Sequence, residues 1–221
     1  MSIVRLLAAL LAGFTIQCSA APFAVQLGDA RMVLDAPPGF SDTLQTGSPR
    51  LLELSESLTS ASNRILLFAI SDADLRRFQV GDSLELRRYM ILVTGRGMER
   101  ERLSDSAFRE LAVESARSLG PVPGVTDYVE HLDSRPPGAT SLLAELRKDA
   151  DAVSVLQGMR AKGNSFFSRS QYFLSSTSLV LVRGKALSLS VHTRYDDPAD
   201  LEWIRLTTTR WIDDLKRMNA R

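Results

Sequence analysis

The sequence predicts an α+β fold in which helices pack on a mostly antiparallel β-sheet. Three observations carry this prediction. The last fifty residues have the pattern of a β-hairpin that feeds one long amphipathic helix. Short strand patterns separated by glycine turns follow one another directly in the second half of the chain, which is typical of antiparallel pairing. Helix patterns with capping residues lie between the strand patterns of the first half.

The terminal hairpin is predicted from residues 179–182 and 186–193, which flank a turn at 183–185. Gly184 can adopt the positive φ that tight hairpin turns require. Apolar and polar side chains alternate in the second strand: Leu187, Leu189 and Val191 against Ser188, Ser190 and His192. We therefore expect one face of this strand to be buried and the other to be polar.

The terminal helix has the best start signal in the chain. Asp197 is a good N-cap, Pro198 suits the first helical position, and Asp200 favours the positive end of the helix dipole. Apolar and small side chains then recur every three or four residues: Leu201, Ile204, Thr208, Trp211, Ile212, Leu215 and Met218. This stripe is expected to pack on the apolar face of the hairpin.

The first half of the chain is expected to contain a hairpin, two strands and three helices. The hairpin joins residues 23–27 and 31–35 around a turn at 28–30, the strands cover 64–71 and 88–94, and the helices cover 50–58, 72–78 and 105–119. Ser104 would cap the last helix, and Gly120 with Pro121 would stop it.

The middle of the chain carries two breaks rich in proline and glycine, at 120–124 and 134–138. Residues 141–148 then look helical, and strands are predicted over 153–160 and 165–174 with a turn at Gly163 and Asn164. Each piece between the breaks is too small to bury its own core. We predict a single α+β domain over residues 21–221, with an irregular or helical excursion at about 120–150.

Residues 1–20 have the pattern of a secretory signal peptide. One positive charge at Arg5 precedes an apolar run, and small residues end the segment. Cleavage is expected after Ala20, which places the mature chain in the periplasm or outside the cell. Lipidation of Cys18 is not favoured, because Gln17 stands where a small residue is expected and Thr15 where an aliphatic one is.

Removal of this segment takes away the only cysteine, so no disulfide can form in the mature chain. It also removes Arg5, which leaves 26 basic residues against 26 acidic ones. A neutral balance argues against nucleic acid or an anionic membrane as the main partner. No segment after Ala20 has the apolar length of a transmembrane helix.

A family resemblance rests on fold signals. The opening hairpin, the exit Leu34-Asp35-Ala36-Pro37-Pro38-Gly39-Phe40 and the closing order of strand, turn, strand and helix resemble PsbP-like α/β sandwich domains. Uncharacterised secreted proteins of proteobacteria share this layout. The resemblance implies a small envelope or lumenal domain that acts through protein contacts, and it carries no catalytic residue across.

Few side chains suggest chemistry. The two histidines, His131 and His192, lie far apart in the sequence and belong to no metal-binding motif, so neither a metal nor a cofactor is predicted. If the protein is an enzyme, the candidates are His192 with Ser188 and Ser190 on the polar face of the last strand, and His131 with Asp133. The non-catalytic alternatives are that His192 is a hydrogen-bonded residue on a sheet face and that His131 is an exposed residue near a helix end.

Two functional hypotheses follow. The first is a non-catalytic envelope protein that binds a protein partner or a small ligand. The second is a hydrolase or transferase that uses His192 or His131 with nearby serine and carboxylate groups, which requires a pocket around one histidine. Lipid carriage is a third possibility, and it requires an apolar cavity between the sheet and its helices. The sequence gives no prediction of the oligomeric state.

Overall fold

The computed structural model describes residues 21–124, 126–161 and 170–220. The strands are β1 (Phe23–Leu27), β2 (Ala30–Leu34), β3 (Phe40–Asp42), β4 (Asn63–Ser71), β5 (Arg88–Gly95), β6 (Thr140–Lys148), β7 (Ala152–Arg160), β8 (Tyr172–Val182) and β9 (Lys185–Tyr195). The α-helices are α1 (Pro49–Ser57), α2 (Asp72–Gln79), α3 (Asp105–Leu119), α4 (Tyr128–Asp133) and α5 (Pro198–Met218). The expected signal peptide with Cys18, the expected turn at Gly163 and Asn164, and residues 165–169 of the strand expected over 165–174 lie outside the described residues; residues 172–174 of that strand belong to β8.

Seven strands form one antiparallel sheet in the order β3-β4-β5-β9-β8-β7-β6. Strands β1 and β2 form a separate antiparallel hairpin. The α+β prediction, with a mostly antiparallel sheet and helices packed on it, is confirmed.

The C-terminal hairpin and helix are also confirmed. Arg183 and Gly184 connect β8 to β9 with φ values of 53° and 78°, the two positive angles that fit a tight two-residue hairpin turn. Helix α5 lies on one face of the sheet, where its apolar stripe meets the apolar face of β9. Trp211 is 2% exposed, and its Nε1 donates a hydrogen bond to the Asp35 carbonyl oxygen at 3.0 Å.

Small hydroxyl residues lie beneath the middle of α5. Ser176 of β8 hydrogen-bonds Thr208 of the helix, with 2.5 Å between the two hydroxyl oxygens. Ser178 donates to Ser154 of β7 at 2.8 Å. All four side chains are buried and each has a partner, so the small residues let the helix approach the sheet without leaving polar atoms unsatisfied.

A buried carboxylate fixes the start of α5. Asp200 is 1% exposed and accepts hydrogen bonds from the Arg88 guanidinium at 2.8 Å and from the Arg87 guanidinium at 3.1 Å. The Asp196 backbone N–H donates to the same carboxylate at 3.0 Å, and Asp200 completes a capping box with Asp197. Burial alone would raise the pKa of Asp200, but the hydrogen bonds from the Asp196 backbone, Arg88 and Arg87 outweigh it and lower the pKa.

The opposite face of the sheet is covered by other helices. Helices α1 and α2 pack over β4 and β5 around a cluster formed by Leu51, Phe68, Ile70, Ile91 and Val93. Helix α3 contacts β8, and its Phe108 side chain is completely buried. Its bounds and its Ser104 cap are as predicted, with the Ser104 hydroxyl accepting from the Ala107 N–H at 3.2 Å.

The helix predicted over residues 141–148 is wrong, because this segment is the edge strand β6 paired with β7. Two irregularities in the ladder, at 142–144 and 145–147, break the period-two alternation. Leu142, Leu143 and Leu146 therefore have the spacing of a helix face, while the pairing with β7 decides the structure. The excursion predicted at about 120–150 ends at Thr140 and contains the short helix α4. The sequence pattern predicts neither α4 nor strand β3.

Replacing Asp200 by asparagine is expected to lower the free energy of unfolding by about 2 to 4 kcal/mol, because two guanidinium groups and the helix start lose their charged partner. The folded-state pKa of Asp200 is lowered, so its stabilisation is full above the ordinary value of 3.8 and is lost as the pH falls through the folded-state pKa. Urea unfolding at pH 7 and at a series of lower pH values measures both effects, and the difference between wild type and D200N should shrink below pH 3.8.

Asp213 provides the matched control on the same helix. Its carboxylate binds Arg147 but is 56% exposed, so D213N should cost less than about 1 kcal/mol. Equal losses for D200N and D213N would contradict the assigned role of the buried carboxylate.

Candidate functional site

An open groove lies on the sheet face opposite α5, near the ends of β5, β9, β8 and β7. We call it the sheet-end groove. It encloses about 480 Å³. Side chains of both chemical kinds line it: Leu86, Tyr89, Met159 and Phe173 are apolar or aromatic, and Glu85, Arg87, Ser175, His192 and Arg194 are polar or charged. The groove thus contains one of the two histidines that the sequence singled out.

His192 is held against an aromatic ring. The pairing of β5 with β9 places Tyr89 directly opposite His192, and the two rings stack with their centroids 4.4 Å apart and their planes 6° apart. Burial lowers the pKa of His192 to about 4. The imidazole is therefore neutral at pH 7, where it can both donate and accept a hydrogen bond.

Of the two serines predicted beside His192, the structure brings only Ser190 into contact. The Nε2 atom of His192 lies 3.1 Å from the Ser190 hydroxyl oxygen. Ser190 also donates to the Ile91 carbonyl oxygen at 3.5 Å, so its proton has an acceptor other than the imidazole. Ser188 lies on the same face four residues along the strand, about 13 Å from His192.

His131 and Asp133 do not form the predicted pair. The Asp133 carboxylate accepts from the Tyr172 hydroxyl at 2.9 Å and binds the Arg160 guanidinium at 3.3 Å. The Nε2 atom of His131 is buried and has no hydrogen-bond partner among the described residues. Helix α4, which carries both residues, packs through Leu132 into the core on the α5 face. The two histidines therefore lie on opposite faces of the sheet.

His192 stands in the groove as a neutral hydrogen-bonding group. A general base works best when its pKa lies near the working pH, and the pKa of His192 is about 4. Within the part of the chain that the structure describes, no carboxylate accepts a hydrogen bond from the His192 ring to orient it. What the groove offers instead is a neutral imidazole beside aromatic and apolar surface.

Several groove residues were not singled out from the sequence. Tyr89 reaches His192 only because β5 pairs with β9 across about one hundred residues of chain, and no local signal reveals that register. Phe173 lies on the polar face of β8 and is 37% exposed, which the alternation of that strand could have suggested. Arg87 and Arg194 both bind Asp196 and form one wall of the groove.

Within residues 21–124, 126–161 and 170–220, no helix combines the length and the apolar composition needed to cross a bilayer. No group of three or more histidine, cysteine, aspartate and glutamate side chains in the same ranges is placed to hold a metal ion.

No known protein family matches the chain, and no curated protein matches it. Among solved structures it is similar to the Ran-binding protein Mog1p of Saccharomyces cerevisiae, at 11% sequence identity and a TM-score of 0.38, over 90% of this chain and 94% of that chain. A similarity at this level carries no argument about function. The resemblance to PsbP-like domains stays a prediction.

The neutral, partly buried imidazole of His192 predicts a pH dependence of stability. The folded-state pKa of His192 is lowered from 6.5 to about 4, so the unfolded chain takes up a proton first as the pH falls. Stability is therefore full above pH 6.5 and falls by up to about 3 kcal/mol between pH 6.5 and pH 4. His192→Phe keeps a ring on Tyr89 but cannot be charged, and should abolish this component in urea unfolding measured at each pH.

Ser190→Ala is the control, because it removes the hydroxyl and keeps the imidazole. The S190A variant should retain the wild-type loss of stability between pH 6.5 and pH 4. An H192F variant with the same loss as wild type would show that His192 is not the group responsible.

Proposed function

We propose that this chain is an exported, non-catalytic binding protein of the cell envelope, and that the sheet-end groove takes a small organic ligand. Export rests on the signal-peptide pattern of residues 1–20. The observation that supports the binding role is the groove itself, because a concave site of about 480 Å³ lies in the size range of small-molecule pockets.

The lining indicates what the ligand looks like. Tyr89, Phe173 and Met159 offer surface for a flat or apolar body. The neutral ring of His192 and the guanidinium groups of Arg87 and Arg194 can donate hydrogen bonds to acceptor atoms at its edge. A planar organic molecule with one or two acceptor or anionic oxygens meets these requirements.

A hydrolase or transferase is the second candidate, favoured by the 3.1 Å contact between His192 and Ser190. It requires that a bound substrate raise the basicity of His192 and turn the Ser190 proton toward it. Labelling with a fluorophosphonate, followed by peptide mapping, tests this directly. A covalent adduct on Ser190 that is lost in H192F would favour the enzyme, whereas an unmodified Ser190 in folded protein would reject it.

Binding in the groove is tested by native mass spectrometry of the mature protein purified gently from the envelope, and by thermal shift against a library of small aromatic acids and amides. We expect a retained small molecule, or one class of compound that raises the melting temperature. Phe173→Ala should weaken binding by about tenfold, because it removes one apolar wall of the groove.

Thr177→Ala is the matched control, since Thr177 is an exposed residue on the same face of β8 outside the groove lining. The T177A variant should bind like wild type. Recovery of a stoichiometric protein that F173A releases would assign the groove to a protein partner instead. Equal ligand binding by wild type and F173A would place the ligand elsewhere.

A further inference from the structure

A second cavity, separate from the sheet-end groove, opens between α3 and the edge of the sheet. We call it the α3 cleft. It encloses about 680 Å³ and is bounded by the helix on one side and by β6, β7 and their connection on the other. The central lining residues are Phe108, Ala112, Val113, Ala116, Pro121 and Val153.

The cleft exists because α3 presents small side chains toward the sheet. Phe108 is fully buried and anchors the first turns of the helix. One turn later Ala112 is buried, and a further turn on Ala116 is exposed at the opening. Both line the cleft together with Val153, and their short side chains leave the space between helix and sheet open. From Phe108 to Gly120 the helix advances about 18 Å, so the opening is long and narrow.

Apolar surface continues around the mouth of the cleft. Val113, Leu119 and Val122 are 50%, 39% and 47% exposed, and all three lie on α3 or just after it. Val113 lines the cleft itself, and Leu119 and Val122 flank the lining residues Gly120 and Pro121 in the sequence, so exposed apolar side chains adjoin the apolar cavity. A flexible hydrocarbon would cover this surface and fill the space beneath it.

The charged residues at the rim favour an anion. Arg109, Arg117 and Lys148 line the cleft together with Glu145 and Asp149. Glu145 pairs with Lys148 within the rim at 3.6 Å, and Asp149 lies 2.5 Å from Arg147, which is outside the lining. Among the described residues, Arg109 and Arg117 are therefore the two lining cations that neither carboxylate binds.

The two arginines of α3 keep donors for a further partner. Arg117 binds Glu114 at 3.7 Å with both side chains more than 70% exposed, and such a pair exchanges easily. Arg109 makes no salt bridge with any of the residues that the structure describes. One flank of an apolar cleft thus carries guanidinium groups able to bind a carboxylate.

We infer that the α3 cleft binds a long-chain fatty acid, with the hydrocarbon between α3 and β7 and the carboxylate at Arg109, near the Phe108 end of the cleft. Burial of the methylene groups of a long alkyl chain supplies the affinity, and the Arg109 guanidinium sets the orientation. This inference does not depend on the sheet-end groove or its ligand.

The test uses the purified mature protein, with palmitate as the probe and isothermal titration calorimetry as the measurement. Wild type should bind one palmitate per chain. Ala116→Trp fills the mouth of the cleft and should weaken binding at least about tenfold. Leu206→Trp places the same side chain at an exposed position on α5 and should leave the affinity unchanged.

The head-group assignment has its own variant. Arg109→Glu should weaken palmitate binding about threefold to fivefold and leave hexadecanol binding unchanged, since the alcohol has no charge. Arg205→Glu, on an exposed position of α5, is the charge control. R109E also keeps the test decisive if A116W fails to fold, because Arg109 is exposed and its replacement leaves the core intact.

Three results would overturn the inference. They are no palmitate binding by folded wild type, equal binding by wild type, A116W and R109E, and binding to anionic vesicles through Arg109 without uptake of free palmitate. The last result would assign this face to a membrane surface instead.

Discussion

The structure depends on how the first turn of α5 is held to the sheet. A buried carboxylate at Asp200 would be costly on its own, but it receives two guanidinium groups and two backbone N–H groups. One of its arginines, Arg88, also stacks on Trp203 with 4.2 Å between the guanidinium carbon and the ring centroid. These contacts fix the position and direction of the helix at its first turn, and its apolar stripe packs on Leu187 and Leu189 farther along.

One of the arginines that bind Asp200 also connects α5 to the opposite face of the sheet. Arg87 binds Asp200 and Asp196 and also lines the sheet-end groove. Tyr89, two residues later on β5, forms the aromatic side of that groove against His192. The helix that closes the core and the surface proposed to bind a ligand thus share one strand, and a shift of β5 would change both.

The fold could be predicted where the signals are local. The caps of α3 and α5, the turn at Gly184 and the alternation of β9 each depend on neighbouring residues, and the structure confirms all of them. The pattern of residues 141–148 indicates a helix because the irregular register of β6 hides its alternation, and only the pairing with β7 makes the segment a strand. The candidate site also combines local and long-range features. The contact of Ser190 with His192 follows from the spacing of residues along one strand. The stacking of Tyr89 on His192 requires the register between two strands that are distant in sequence.

The irregular register of β6 also shapes one border of the sheet. An open sheet ends in two rows of backbone groups that can capture a strand of another molecule and start aggregation. Here one end is β3, which is only three residues long, and the other is β6, whose two irregularities interrupt the ladder. Neither border offers a long, regular template for an incoming strand, so the sheet is protected against polymerisation by the same irregular backbone that obscures β6 in the sequence.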